Sequence, residues 1–303
     1  MMKSPKFKYG SFPVSRVLIR ALLPTVMRVG RTVVSGDSPA VSVMRSTLER
    51  RVIAPLVRKA VKFLPGLRTP KCYSDEATYH YLQHCLKKAK PVTEVLGHKM
   101  FLREGYDLGL PIWGIFEPVE TELVKKVIKR GNVVLDIGAN IGYYTLIAAK
   151  VVGETGKVFA FEPYPTTFSI LEKNVKVNGY NNVILVQKAI SNKTGKLKLH
   201  LWDSASHSIC DSHGSHQSII IEGIRLDDYF ENYDGNIDFI KMDIEGAENW
   251  AIQGMPSLLA KNKNVKIMTE FNPPKLTRAG VEPEEYLGLL TERGFKLYYI
   301  NMC

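Results

Sequence analysis

The 303-residue chain is 45% hydrophobic, in the range of globular proteins, and no apolar run approaches the length needed to span a bilayer. Its four cysteines (Cys72, Cys85, Cys210, Cys303) are widely spaced without a Cys-x-x-Cys, which argues against a disulfide framework and for reduced thiols in a cytosolic setting. The net charge of +11 is uneven: residues 1–100 hold 19 Lys and Arg against 5 Asp and Glu, and the remainder 22 against 25, so the basic character belongs to an N-terminal extension.

Within that extension no acid precedes Asp37. Arg16, Arg20, Arg28 and Arg31 recur at gaps of four, eight and three, near one helical face, and residues 51–64 repeat the theme with an apolar stripe flanked by Arg51, Arg58, Lys59 and Lys62. The extension, residues 1–90, is expected to be partly helical. It is open to four readings: helices packed on the core or a poorly ordered leader, peripheral contact of residues 1–68 with an anionic membrane, binding of nucleic acid, and organellar targeting. Residues 75–90 read as a helix on which His80 and His84 lie four apart. They lack the glutamate of a His-Glu-x-x-His zinc site and are expected to be a solvated face.

From about residue 91 a single catalytic-looking domain is expected to run to 303. Residues 97–108 suggest a hairpin. Phe116-Glu117-Pro118-Val119-Glu120-Thr121 opens a helix to about residue 129, and Glu117 and Glu120 are explained by the helix dipole. Val133–Ile137 is a continuous apolar run broken by Asp136, as expected of a parallel strand buried on both faces. Gly138, Ala139 and Gly142 let a ligand approach the backbone, a helix follows over 145–152, and a second buried strand ends in Glu162. This βαβ unit implies a nucleotide-like ligand at the carboxyl ends of its strands. A helix over 166–178, a strand over 183–190 and an alternating antiparallel pair at 196–202 and 218–224 come next. The polar loop 203–217 between the pair carries His207, Cys210, His213 and His216 at intervals of three; a substrate lid is a better reading than a metal tract. Strands at 237–242 and 266–269, a helix over 282–293 and a strand from Phe295 complete a doubly wound, mostly parallel sheet.

A dinucleotide fingerprint needs Gly-x-Gly-x-x-Gly to seat a pyrophosphate, whereas Gly138 and Gly142 lie four apart around Asn140. S-adenosylmethionine, which has no phosphate, relaxes that need. Asp136 is placed to face its ammonium, directly or through water, the backbone of Gly138–Asn140 its carboxylate, and Glu162 both ribose hydroxyls. The candidate cofactor-binding set is Asp136, Gly138, Ala139, Asn140, Gly142, Tyr143, Glu162, Pro163 and Ala189.

These segments, with Lys241-Met242-Asp243-Ile244-Glu245-Gly246-Ala247-Glu248, resemble the FkbM family of S-adenosylmethionine-dependent methyltransferases across roughly residues 97–300. The resemblance implies a class I (Rossmann-like) methyltransferase fold and O-methylation of a hydroxyl on a sugar, glycan or small metabolite. It does not cover residues 1–90. The class I sheet normally ends in an antiparallel hairpin. Only its first strand fits before Cys303, so a missing final strand and an unpaired edge beside the fifth strand are expected. Asp243 or Glu270 is the expected general base, with Glu245 orienting substrate or capping the next helix. A divalent cation on Asp243, Glu270 and Asn272 is an open alternative, but no metal is included in the expected site. Asn272-Pro273-Pro274 is similar to the motif of amino-methylating nucleic-acid enzymes, but it lacks the aromatic and follows the wrong strand, so it reads as a turn. Methylation of RNA or DNA, and a membrane-surface interaction protein with a degenerate cofactor fold, are the rival functions.

Overall fold

The computed structural model describes residues 15–21, 92–103, 110, 114–201, 207–211 and 217–300. In chain order the elements are β1 (Ser15–Ala21), β2 (Val92–Val95), β3 (His98–Phe101), α1 (Pro118–Val127), β4 (Val133–Ile137), α2 (Tyr143–Val152), β5 (Lys157–Phe161) and α3 (Pro165–Val177). Then come β6 (Val183–Val186), β7 (Ala189–Ile190), β8 (Gly195–Leu201), β9 (Gln217–Ile224), α4 (Leu226–Tyr229), β10 (Phe239–Met242), α5 (Glu248–Gln253) and α6 (Pro256–Lys261). β11 (Lys266–Phe271), α7 (Pro273–Arg278), α8 (Pro283–Glu292) and β12 (Phe295–Ile300) close the described chain.

Seven strands form one sheet in the order β12-β1-β11-β10-β4-β5-β6. The ladder from β11 to β6 is parallel throughout. Strand alternation divides the core between the two faces. Leu135, Ile137, Phe159, Phe161, Ile240 and Met242 pack on one side with α5, α6 and α8, and Val134, Val158, Ala160 and Phe239 on the other with α1, α2 and α3. This is the class I Rossmann-like architecture. From β4 the chain winds outward to β5 and β6, then returns to lay β10 and β11 on the other side of β4. The crevice at the carboxyl ends of β4 and β10 is therefore a topological switch point, where such sheets bind ligands.

Two expectations are corrected at the edge of the sheet. The place beside β11 is not left unpaired: β1 lies between β11 and β12, antiparallel to both, with Leu18 opposite Met268 and Tyr298. The segment around Arg16 and Arg20 is thus a strand rather than a helical face, and part of the extension is built into the domain sheet. A gap of four between arginines satisfies a period of two as well as one of 3.6. The open place between two parallel strands decides which is used. The other basic stripes, at 28–31 and 51–64, and the segment bearing His80 and His84 lie outside the described residues.

The early hairpin lies slightly N-terminal of its expected position. β2 and β3 meet at Leu96-Gly97, both with positive φ (51° and 80°), as a two-residue turn requires. The expected strand over 183–190 is split. β6 joins the main sheet, while β7 pairs with β9 in a second, three-stranded sheet with β8. After Glu248 the chain forms two short helices, α5 and α6, and between them Gly254 packs its backbone against the Ser191 carbonyl, where a Cβ would stand 2.0 Å from the oxygen. No helix among the described residues is long and apolar enough to cross a membrane.

Candidate active site

The loop after β4 is shaped by two contacts. The amides of Gly138 and Ala139 both donate to the Phe161 carbonyl (3.0 and 2.9 Å), which ties the loop to the end of β5. Gly138 has φ 76°, and a Cβ on it would lie 2.0 Å from the Asp243 carbonyl oxygen, so the loops after β4 and β10 touch there. Asn140 takes a left-handed conformation (φ 52°), which lets its amide donate to Glu162 Oε2 (3.0 Å) while its own Oδ1 accepts from the Ile141 amide. Glu162 Oε1 accepts from the Tyr164 amide (2.9 Å). The Glu162 carboxylate is thus held by one backbone donor on each oxygen, and each oxygen keeps a lone pair.

A cleft of about 260 Å³ opens over this loop. Gly138, Ala139, Asn140, Tyr143, Glu162, Pro163 and Ala189 line it, and so do Asp243, Glu245 and Glu270. The structure therefore brings most of the two sequence-derived sets onto one surface. Asp136 and Gly142 lie behind that lining. Asp136 is only 1% exposed. Its Oδ2 accepts from the Thr145 hydroxyl (2.6 Å), and its Oδ1 lies 3.5 Å from the ammonium of Lys241, its register partner on β10. Gly142 gives close passage to Leu171, whose Cδ1 would be 2.7 Å from a Cβ there.

Several residues of the site carried no assigned role in the sequence. Lys241 sits buried among opposite charges: its ammonium donates to the Gly138 carbonyl (2.9 Å), pairs with Asp136, lies 4.0 Å from Asp243 Oδ2, and faces the Tyr144 ring at 5.4 Å. Its signal was a lone cation inside an apolar strand. Glu117, explained by the helix dipole, instead adopts a left-handed backbone (φ 43°) without capping α1. Its side chain accepts from the Tyr144 hydroxyl (2.8 Å) and lines the cleft. Glu248, rather than Glu245, holds the loop ahead of α5, its two oxygens accepting from the Ile244 and Gly246 amides (2.9 Å each). Glu245 has φ 60° and is ion-paired with Lys275.

Of the polar loop, the described stretch 207–211 folds back over the cleft. Ser208 bridges to His200, and His207, Ser208 and Ile209 join the lining. His207 stacks edge-on against Tyr164 and lies 3.4 Å from Arg103, and burial with that guanidinium lowers its pKa to about 4. Cys210 is buried, which raises its thiol to about 12. His213 and His216 lie outside the described residues. Among the described residues, the acids that come together as cation ligands are Asp243, Glu248 and Glu270. The Asn272 side chain caps α7 by accepting from the Lys275 amide, so Asn272-Pro273-Pro274 is a helix start.

Burial raises Glu162 and Glu248 to about 7 and, aided by the neighbouring Asp243 and Glu248 charges, Glu270 to about 8. Lys275 opposes the rise at Glu270, and its own ammonium is held more firmly by Glu270 and Glu245. Each of these three carboxyls binds its proton more tightly folded than unfolded, where the value is 4.5. Their contribution to stability is therefore complete below that value and is lost as pH rises through the folded values. Calorimetric unfolding of the ligand-free protein is expected to show a midpoint that falls between pH 4.5 and about 8, with the fall reduced in Glu270→Gln.

The model of the methyltransferase FkbM domain matches residues 136–297. The chain belongs to the FkbM methyltransferase family. The match begins at Asp136 near the end of β4 and runs into β12, so the family's shared segment includes the loops after β4 and β10. Hexuronic acid methyltransferase AglP of Haloferax volcanii is 29% identical over 53% of this chain and 62% of its own length. Methyltransferase sdnD of Sordaria araneosa is 24% identical over 54% of this chain and 73% of its own. A protein-L-isoaspartate O-methyltransferase of Methanococcus maripaludis is 41% identical over a shorter stretch, 18% of this chain and 26% of its own. The first relatives are matched over only 24% to 62% of their own lengths. The solved structure of an S-adenosylmethionine-dependent O-methyltransferase from Thermotoga maritima matches 59% of this chain and 50% of its own, at 17% identity and a TM-score of 0.35.

Proposed function

We propose that this FkbM-family chain transfers a methyl group from S-adenosylmethionine to a hydroxyl of a sugar, glycan or small hydroxylated metabolite. The observation that carries the reading is one cleft lined both by the strand-end carboxylate Glu162 and by the carboxylates Asp243, Glu245 and Glu270. The residues fit the donor. The remaining lone pairs of Glu162 suit two vicinal hydroxyls, and Pro163 and Ala189 give apolar lining, while the bare Gly138 lets the loops after β4 and β10 close on each other at the floor of the cleft. Asp136 then supports this site from below, holding Thr145 on α2 and Lys241 on β10, and Lys241 in turn fixes the Gly138 carbonyl.

When bound, S-adenosylmethionine supplies a methyl group already activated by the sulfonium. The chain has then to align an attacking hydroxyl and remove one proton. Alignment of this kind supplies several kcal/mol of barrier lowering, and a positioned base adds roughly 10²–10⁴-fold. Asp243 is the better placed base. Its side chain is 21% exposed against 7% for Glu270, whose two oxygens are already engaged by the Lys275 ammonium. Glu270 and Glu245 hold the wall behind it, and Glu117, in its strained backbone position, offers a further acceptor for a substrate hydroxyl. The described part of the loop over the cleft, with His207 and Ser208, is where acceptor shape is read.

The relative AglP is named for a hexuronic acid, which supports a sugar-type acceptor without naming it. The test is a screen of methyl transfer from labelled donor over glycans, lipid headgroups, hydroxylated metabolites and RNA. Transfer to a hydroxylated carbohydrate or metabolite is expected, and transfer confined to RNA would overturn the assignment.

A further inference from the structure

The acids at the carboxyl ends of β10 and β11 form a crowded group. Asp243, Glu248 and Glu270 each bring a carboxylate oxygen within 4.8 Å of the other two, close enough to ligate one cation. Glu245 lines the cleft together with Asp243 and Glu270. Such a group is costly to bury without a compensating positive charge. The structure supplies one from the protein itself. The Lys275 ammonium lies 3.3 Å and 3.4 Å from the two oxygens of Glu270 and pairs with Glu245.

Three features place that ammonium. Asn272 accepts from the Lys275 amide and starts α7, so Lys275 falls in the first turn with its side chain turned back toward β11. Pro273 and Pro274 fill the first helical positions, where no amide is needed and φ is already helical. Gly246 (φ 98°) lets the loop after β10 close on α7: a Cβ there would stand 3.1 Å from the Lys275 carbonyl oxygen. The glycine of the Lys-x-Asp-x-Glu-Gly element and the lysine after Asn-Pro-Pro are therefore two halves of one contact.

We propose that Lys275 is the resident cation of this cluster, occupying the role that a divalent metal ion plays among grouped carboxylates and positioning Glu270, Glu245 and, through them, Asp243. Its ammonium is a compact point charge with three donors, suited to several carboxylates at once. The catalytic consequence, methyl transfer that needs no added metal, rests on the function proposed above; the cation-binding consequence does not.

The test is titration with Mn²⁺ alone, with free ion read by electron paramagnetic resonance, on the full chain. Wild-type protein and Lys275→Arg are expected to bind no Mn²⁺ at the cluster. Lys275→Ala is expected to gain one site, at least ~10-fold tighter than any wild-type binding, since the repelling charge is gone. Adding Glu270→Gln to Lys275→Ala should abolish that site. Binding by the wild-type protein that Glu270→Gln removes would overturn the inference, and so would a folded Lys275→Ala that gains nothing. Should Lys275→Ala be too unstable to titrate, its thermal transition decides: Mn²⁺ raises it if the ammonium stands in for a metal and leaves it unchanged if not. No methyl donor or acceptor enters the experiment, so its failure and a failure of the methyl-transfer reading are separable.

Discussion

Asp243→Asn is expected to lower kcat for methyl transfer by roughly 10²–10⁴-fold with the affinity for S-adenosylmethionine unchanged. The amide keeps the shape of the side chain and cannot accept the hydroxyl proton. The donor side of the cleft is untouched: the contact that joins the Gly138 loop to this position runs through the Asp243 main-chain carbonyl, and the Asp243 amide donates to the Ile137 carbonyl (3.1 Å), both independent of the side chain. Lys241 retains Asp136 and the Gly138 carbonyl as partners. Single-turnover kinetics beside calorimetric donor binding separate the two effects. Near-normal turnover would transfer the role to Glu270, whose Gln variant then becomes the one that loses rate.

Gly138→Ala is expected to remove donor binding and destabilise the fold by about 3 kcal/mol or more. Two penalties add at this residue. The backbone is left-handed, and the new methyl would sit 2.0 Å from the Asp243 carbonyl oxygen, a main-chain atom that cannot rotate away. Relief requires the loops after β4 and β10 to separate. That breaks the paired donation of the Gly138 and Ala139 amides to Phe161 and dislodges the Asn140 amide from Glu162. Chemical denaturation and donor titration of the variant measure both losses. Gly142→Ala shares the left-handed backbone (φ 94°) but would press on the Leu171 side chain rather than on a main-chain atom, and is the milder comparison.

Much of this site was legible in the residues because strand ends are easy to find. Continuous apolar runs such as Val133–Ile137 mark buried parallel strands, and a carboxylate that ends one, as with Glu162 or Asp243, falls at the edge where ligands bind. The resemblance of the Lys-x-Asp-x-Glu-Gly element supplied the reaction class. What stayed hidden depends on tertiary contacts. Arg16 and Arg20 fit a strand as well as a helix by spacing, and only the open place between β11 and β12 selects the strand. Glu248 rather than Glu245 holds the loop because Glu245 is turned by a positive φ toward Lys275. Lys275 follows two prolines in what reads as a turn. It gains significance only because α7 folds back on Gly246.

Asp136 shows the same limit from the other side. Its position at the end of β4 suggested that it faces the ligand directly or through water; it lies buried with Thr145 and Lys241 as partners. The donor loop, the candidate base and the helix α2 are thereby joined through one buried ion pair. Replacing one member of such a pair leaves the other charge uncompensated, so both carry structural weight beyond the reaction.

The most direct measurement is calorimetric titration of the full chain with S-adenosylmethionine, repeated with Glu162→Ala. The account predicts one donor bound per chain by the wild-type protein and binding lost in the variant, because Glu162 is held by the Asn140 and Tyr164 amides with its remaining lone pairs free for the ribose. Absence of binding to the wild-type protein, or binding that Glu162→Ala leaves intact, would contradict it.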